Sequence, residues 1–263
     1  MPELPEVEAT VRRLKSKVEG KNISSVNILW ERSIANLKAT TFKKCVIGEK
    51  INKLERHGKY LMFRLDHGAI FLHLRMSGKI AVFNSDTKNI KHTRIVFTLN
   101  DGHILRFDDV RKFGKCFYVK DENEILNNLG LEPLSREFTL ESLKKIFNRN
   151  AKIKSVLLDQ KLIAGIGNIY ADESLWRAKI NPCRPASSLT EKEIYTWRAS
   201  IQDILKNAIK VGGTDFGDNV VVGNYSPQIY GHDGEECPRC KTIIEKIQVG
   251  QRGTHFCPKC QKL

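Results

Sequence analysis

The N-terminus of the chain, Met-Pro-Glu-Leu-Pro-Glu, places an amine next to carboxylates. Removal of Met1, which a small second residue permits, leaves Pro2 with a free secondary amine. An α-amino group titrates at about pH 7.7–8.0, so an appreciable fraction is neutral and nucleophilic near pH 7. Such an amine can attack an electrophilic carbon to give an iminium ion, and Glu3 can move protons or stabilise that cation. The same residues also suit the first turn of a helix, where proline and glutamate are favoured.

Two Cys-x2-Cys pairs lie near the C-terminus, with 16 residues between Cys240 and Cys257. Together with Cys237 and Cys260, these residues have the spacing of a zinc ribbon, in which four thiolates hold one tetrahedral ion. Four protein ligands leave no open position, so we expect the zinc to be structural. One pair alone would also suit redox chemistry, but two pairs in a short module favour the metal. The hairpin between the pairs would present Arg252 to a phosphate.

The composition indicates a polyanionic partner. The 263 residues include 44 Lys plus Arg and 30 Asp plus Glu, a formal net charge of +14. This excess is spread along the chain, as expected for a folded surface that faces nucleic acid. No stretch approaches the roughly 18 apolar residues of a membrane-spanning helix, and the first 30 residues lack a signal-peptide pattern.

The hydrophobic pattern predicts a helix followed by a β-rich region. Residues 3–18 have helical periodicity and precede Gly20. From about residue 22 to 120 the chain has short alternating runs separated by turn signals, which predict an antiparallel sandwich or barrel. These runs are Ile23–Leu29, Tyr60–Leu65, Ile70–Leu74, Ile95–Leu99, Ile104–Phe107 and Cys116–Val119.

The second half of the chain is predicted to be helical, so the fold class is α+β with several domains. We expect an N-terminal domain over 1–120, a linker over 121–137, a helical domain over 138–230 and a zinc finger over 231–263. Within the helical domain, 214–230 is predicted to be a mobile loop. The expected helices are Leu140–Arg149, Ile153–Gln160, Ile169–Ala178 and Glu191–Val211.

A glycine turn in the helical region is a candidate anion site. Gly165-Ile-Gly167 precedes a helix that begins near Asn168, and a helix N-terminus offers N–H groups and a positive dipole end. Basic residues upstream include Lys154. Each alone suits a solvated helix face, but together with the turn they suggest contacts to a DNA backbone.

Three turns in the β-rich half carry side chains of interest. Lys59 follows Arg-His-Gly, Met76 lies in His-Leu-Arg-Met-Ser-Gly, and Arg111 and Phe113 lie in Asp-Val-Arg-Lys-Phe-Gly. Exposed Met, Arg and Phe at separate turns can be ordinary strand ends. They can also be wedges that fill the gap left when a base is flipped out of a duplex.

Six motifs in order resemble one family. They are Pro-Glu-Leu-Pro-Glu at the N-terminus, Gly58-Lys-Tyr-Leu, His73-Leu-Arg-Met-Ser-Gly, Asp109-Val-Arg-Lys-Phe-Gly, Gly165-Ile-Gly-Asn-Ile-Tyr-Ala-Asp-Glu and the terminal cysteine ribbon. The chain resembles bacterial formamidopyrimidine-DNA glycosylases, base-excision enzymes for oxidised purines, over essentially its whole length. The first motif has leucine where the related endonuclease VIII branch typically has glycine.

The resemblance implies a two-domain clamp on damaged duplex DNA. Pro2 would attack C1′ of the damaged nucleoside, Glu3 would assist protonation and sugar ring-opening, and Lys59 would contact phosphates beside the lesion. Successive β- and δ-eliminations would then cut the strand. Zinc would be the single structural ion, with no cofactor consumed. We expect a monomer in the bacterial cytoplasm, at the nucleoid.

The resemblance also implies the residues that bind DNA. Met76, Arg111 and Phe113 would fill the vacated stack, with Arg111 facing the orphan cytosine. The backbone phosphates would be held by Asn168, Arg252 and Tyr230.

Two departures from the family pattern concern DNA and lesion contacts. Arg94 stands where many relatives have a second histidine, while His92 is retained and is a candidate DNA contact. The loop Thr214–Asn224 differs from the usual version, and in the family this loop closes over the flipped base. The departures concern which lesion is preferred. Two alternatives to the main hypothesis are an oxidised-pyrimidine glycosylase of the endonuclease VIII type and a non-catalytic DNA-binding protein, which would equally explain the charge and the cysteines.

Overall fold

The computed structural model describes residues 1–214 and 223–263, which form two units, 1–128 and 129–263. Within these ranges, no helix is both long enough and apolar enough to cross a membrane. The predicted lesion loop lies partly outside the described residues, since 215–222 are not described.

The first unit begins with helix α1, Leu4–Val18, whose apolar stripe faces the core. All five apolar residues that recur at helical spacing are buried: Leu4, Val7, Val11, Leu14 and Val18. Glu19 ends the helix in an extended conformation, and Gly20 follows with a φ of 81°. A positive φ costs glycine little, so the chain reverses there into the first strand.

Two four-stranded antiparallel sheets form the body of the first unit. One has the order β1-β6-β7-β5 and the other β2-β3-β4-β8. Apolar residues of both sheets and of α1 belong to one buried cluster, so the predicted α+β class with an antiparallel sandwich is confirmed. The strands are β1 Ile23–Ile28, β2 Lys53–His57, β3 Tyr60–Arg64, β4 Ala69–His73, β5 Gly78–Phe83, β6 Thr93–Leu99, β7 Ile104–Asp109 and β8 Lys115–Val119, and the short helices of this unit are α2 Ala39–Val46 and α3 Asn123–Leu126.

The second unit combines helices that pack on one another with a two-stranded hairpin. Its longest helix begins with a capping box, in which Thr190 and Glu193 exchange hydrogen bonds with each other's backbone N–H. The fully buried Trp197 anchors this helix and donates to Ser174 Oγ at 3.0 Å. The elements are α4 Leu140–Phe147, α5 Ile153–Leu158, α6 Asn168–Arg177, α7 Glu191–Lys210, β9 Glu245–Val249 and β10 Arg252–Phe256.

The boundary between the two units, after Asn128, falls within the segment 121–137 that was predicted to be a linker. The first part of this segment forms α3, whereas the second unit starts at Leu129. Gly130 N donates to Gln160 O at 2.8 Å, and Leu131 N donates to Leu162 O at 3.0 Å. These backbone hydrogen bonds anchor the start of the second unit to the turn before α6.

Candidate functional site

The start of α1 fixes the residues around the N-terminal amine. Glu3, which is 2% exposed, is the N-cap, and its backbone N–H donates to Glu6 Oε2 at 2.7 Å. The two glutamates form a reciprocal capping box. Pro2 is half-buried directly before this cap. Both motif glutamates are therefore held beside the predicted nucleophile.

Lys59 is presented by the two-residue turn between β2 and β3. His57 pairs with Tyr60, and Gly58 has a φ of 55°, which suits a turn with glycine at its first central position. Arg56 donates to Gly58 O at 3.1 Å and to Glu8 Oε2 at 3.2 Å, so it ties this turn to α1. Lys59 itself is only 6% exposed.

The N-terminal amine, Glu3 and Lys59 interact electrostatically. Burial lowers the pKa of the Met1 amino group below its usual value of 8.0; Glu3 and Glu6 oppose this shift, and the Lys59 charge adds to it. This amine belongs to Met1, one residue before the predicted nucleophile, so its shift reports the charges and burial around the start of α1. The structure thus brings together the three residues predicted to be catalytic.

His73 is a residue of this site that we did not single out from the sequence. Its pKa falls to about 3 because the ring is buried and because Arg75 and Lys59 are close. Nδ1 accepts a hydrogen bond from Arg75 N at 3.0 Å, and the ring packs edge-on to Tyr60 at 4.8 Å. His73 is therefore a neutral neighbour of Lys59. In the sequence, the signal for this role was that His73 is the first residue of the motif His73-Leu-Arg-Met-Ser-Gly.

The three predicted wedge residues lie on two turns at the same end of one sheet. Met76 is 47% exposed, Phe113 is 49% exposed and Arg111 is also exposed. The Arg111 guanidinium carbon lies 5.0 Å from the centre of the Phe113 ring. β5 and β7, which flank these turns, pair side by side.

Arg94, the departure noted above, is buried and structural. Its Nε donates to Asp109 O at 2.8 Å, and Asp109 N donates to His92 O at 2.8 Å. Arg94 therefore supports the base of the turn that carries Arg111. His92, which is half-buried, lies beside the base of the same turn.

In the second unit, one backbone carbonyl of the β9–β10 hairpin accepts hydrogen bonds from two side chains. Asn168, the first residue of α6, donates through Nδ2 to Gly253 O at 2.8 Å. Lys154 Nζ donates to the same oxygen at 3.0 Å. Arg252, next to Gly253, is exposed. The helix N-terminus and Arg252 are thus neighbours, as a phosphate-binding surface requires.

Lys154 requires a correction, because it is 0% exposed rather than part of a surface facing DNA. Its ammonium group lies 2.6 Å from Asp172 Oδ1, and the Asp172 side chain is also fully buried. Asp172 Oδ2 accepts the backbone N–H of His255 at 2.9 Å. Lys154 therefore joins α5, α6 and the hairpin from inside, where desolvation excludes contact with a phosphate.

Tyr230 is held by a buried carboxylate. Glu173 accepts backbone N–H groups from Gln228, Ile229 and Tyr230 at 2.8–3.0 Å. The half-buried Tyr230 ring packs 4.9 Å from the ring of His255. Glu173 therefore fixes the segment that follows residues 215–222.

The four predicted ligand cysteines form a site that fits zinc. All four sulfur atoms lie within 4.8 Å of one another, with separations of 3.4 Å for Cys240–Cys257 and 4.0 Å for Cys237–Cys260. A tetrahedral ion with Zn–S bonds of about 2.3 Å requires sulfur atoms roughly 3.8 Å apart. A disulfide requires about 2.05 Å. The geometry matches four thiolates around one structural ion.

Loss of one cysteine ligand is expected to remove the metal. A Cys260→Ser variant should bind far less than the one zinc ion of the parent chain, because the closed four-thiolate site is broken and its folding energy is lost. Metal analysis and binding to duplex DNA would measure the effect. Cys183→Ser is the matched control, since Cys183 lies outside the cluster. Full zinc occupancy in Cys260→Ser would contradict this assignment.

Three family models match successive parts of the chain. The formamidopyrimidine-DNA glycosylase N-terminal domain matches residues 1–116, the H2TH domain of the same enzymes matches 129–219, and a zinc finger found in FPG and IleRS matches 234–263.

Relatives match over the full length. The formamidopyrimidine-DNA glycosylases of Lactiplantibacillus plantarum and Bacillus subtilis are 45% and 42% identical, covering 100% and 99% of both chains. A crystal structure of the Lactococcus lactis enzyme bound non-covalently to AP-site DNA is 37% identical with a TM-score of 0.91, covering 99% of this chain and 100% of that one. MutM in complex with DNA containing carbocyclic 8-oxo-G is 38% identical with a TM-score of 0.92, covering 100% of both chains. This chain therefore belongs to the formamidopyrimidine-DNA glycosylase family.

Proposed function

We propose that this chain excises oxidised purines from duplex DNA with the Pro2 amine as nucleophile and then cleaves the strand as a lyase. The observation that carries the mechanism is the geometry at the start of α1, where buried Glu3 caps the helix directly after Pro2 and the Lys59 charge acts on the N-terminal amine. The relatives support the substrate class, because solved structures contain DNA with 8-oxo-G or an AP site.

Base excision begins at C1′ of the damaged nucleoside. The Pro2 nitrogen forms a bond to C1′ and loses its N–H proton, and the N-glycosidic bond breaks with its electron pair leaving on the base, which takes up a proton. Glu3 protonates the sugar ring oxygen as the C1′–O4′ bond opens, giving an iminium ion between Pro2 and C1′. Lys59 stabilises the adjacent phosphate through its positive charge.

Strand cleavage follows from the same iminium ion. The cation acidifies the C2′ proton, and its removal expels the 3′ phosphate by β-elimination. Loss of the C4′ proton then expels the 5′ phosphate by δ-elimination. Water finally hydrolyses the iminium bond and restores the Pro2 amine, so no cofactor is consumed.

Each unit contributes its own DNA contacts. Exposed Met76, Arg111 and Phe113 fill the gap left by the flipped nucleotide, with His92 beside them. In the second unit, Asn168, Arg252 and Tyr230 bind phosphates, and the zinc ion held by the four cysteines keeps the Arg252 hairpin folded. We propose that the protein is a monomer that acts in the bacterial cytoplasm, at the nucleoid.

Borohydride trapping tests the proposal. The protein lacking Met1 is incubated with a duplex containing 8-oxoguanine opposite cytosine, reduced, digested and mapped by mass spectrometry. We expect a covalent adduct at Pro2 and none with an undamaged duplex. An adduct that forms only with a thymine glycol duplex would identify the endonuclease VIII-type alternative. Binding without an adduct on either duplex would instead support a non-catalytic DNA-binding protein.

The pH dependence of trapping should depend on the charge of Lys59. That charge lowers the pKa of the Met1 amine, and we expect it to act in the same direction on the Pro2 amine once Met1 is removed. In Lys59→Met the amine pKa rises, the neutral fraction at pH 7 falls, and the midpoint of the trapping profile moves to higher pH. Lys59→Arg, which keeps the charge, should leave the midpoint near that of the parent. Equal midpoints in the Met and Arg variants would contradict this electrostatic role.

A further inference from the structure

The carboxylate of Asp109 organises the turn that carries Arg111 and Phe113. Asp109 is the last residue of β7 and is buried. Its Oδ2 accepts Gly114 N–H at 2.7 Å, and its Oδ1 accepts Arg111 N–H at 3.2 Å. One side chain thus binds both ends of the turn.

The same carboxylate reaches the turn that carries Met76. Ser77 Oγ donates to Asp109 Oδ1 at 2.5 Å and accepts the backbone N–H of Arg111 at 3.0 Å. Gly78, the first residue of β5, pairs with Asp109 across the sheet. Ser77 is therefore the side chain through which the two turns are hydrogen-bonded to each other.

The backbone at the base of the turn that carries Arg111 and Phe113 has little freedom to adopt another conformation. A Cβ atom at Gly114 would lie 2.4 Å from Phe107 Cζ, so the chain packs directly against the core there. Lys112, between the two wedge residues, has a φ of 60°, a conformation unfavourable for a residue with a side chain. Its ammonium group lies 4.2 Å from the centre of the Trp30 ring, a cation–π contact that supports the turn from outside.

We propose that Ser77 and Asp109 are positioning residues that couple the two turns, so that Met76, Arg111 and Phe113 enter the duplex as one rigid probe of the opposite base. Two turns that moved independently would each lose backbone freedom on insertion. The buried carboxylate and Ser77 hold the backbone of the Arg111 turn and link it to the Met76 turn before DNA binds. The inference rests on the proposed function, since it assigns a purpose to the wedges of that same reaction.

A double-mutant cycle tests the coupling. Single-turnover excision of 8-oxoguanine is measured opposite cytosine and opposite adenine. Ser77→Ala should slow excision opposite cytosine about tenfold, as expected when a hydrogen bond to a buried charge is lost. It should also reduce the preference for cytosine. In a Phe113→Ala background one wedge side chain is absent. There, the same Ser77→Ala change should lower the excision rate less than about twofold, because one of the residues that Ser77 positions is already missing.

Controls separate positioning from folding. Ser25→Ala, an exposed serine on β1, should leave rate and preference unchanged. Ser77→Ala should retain the parental melting temperature within a few degrees. Asp109→Asn is a second variant that weakens the turn, because its amide nitrogen cannot accept the Gly114 N–H. An equal loss from Ser77→Ala with and without Phe113, or no loss at all, would overturn the coupling. Failure of the parent protein to excise the base would instead refute the proposed function.

Discussion

A chain carrying one extra glycine before Pro2 is expected to lose base excision by more than roughly a thousandfold, because the nucleophile is removed. In that chain the Pro2 nitrogen is part of a peptide bond and has no lone pair available for attack. The new amine is one residue away from its place at the start of α1, where Glu3 and Lys59 are fixed by the capping box and by the β2–β3 turn.

A fusion protein with glycine before Pro2 would give both chains. Cleavage after this glycine gives the chain that begins at Pro2, and cleavage before it gives the extended chain. Excision of 8-oxoguanine is followed under single-turnover conditions, and binding to a duplex with an uncleavable abasic analogue is measured in parallel. We expect comparable binding but no trapped adduct in the extended chain. Excision by the extended chain within tenfold of the parent would show that Pro2 is not the nucleophile.

The sequence predicted the elements that have a long apolar pattern. The five apolar residues of α1 are all buried, and six predicted runs overlap six of the eight strands of the first unit. The two unpredicted strands, β2 and β5, are edge strands of their sheets. Of the five residues in β2, only Leu54 is buried, so its pattern gives little periodicity.

Short helices were missed for a related reason. α2 has eight residues, and only Phe42 and Val46 are buried. Two apolar positions four residues apart do not establish a period. Residues 123–126 form α3 with no buried residue at all, so composition suggested a linker there.

The chemistry of the site was more accessible to sequence than its supporting contacts. Pro2, Glu3 and the four cysteines combine residue types and spacing that suit few other roles. The burial of Lys154 depends on Asp172, 18 positions later, and on Gly253, 99 positions later, and no local pattern reports those contacts. Ser77 and Asp109 likewise meet only because β5 and β7 pair.

Replacement of Asp172 by alanine is expected to destabilise the second unit by about 3–5 kcal/mol, the usual cost of leaving one partner of a buried ion pair uncompensated. The Lys154 ammonium would remain fully buried and would still donate to Gly253 O. The backbone N–H of His255 would also lose its acceptor. The cost exceeds that of an exposed ion pair because water cannot replace the lost carboxylate.

Guanidinium unfolding of the full zinc-loaded chain, followed by tryptophan fluorescence, would measure this loss. Asp203→Ala is the matched control, since Asp203 pairs with Arg177 at the surface and its removal should cost less than about 1 kcal/mol. A Lys154→Met, Asp172→Leu double variant removes both charges and should recover much of the stability. Its DNA affinity should nevertheless stay below that of the parent, because Gly253 O loses one of the two donors that hold the Arg252 hairpin against α6. Equal losses from Asp172→Ala and Asp203→Ala would contradict the role of the buried pair, whereas parental DNA affinity in the double variant would limit that role to stability.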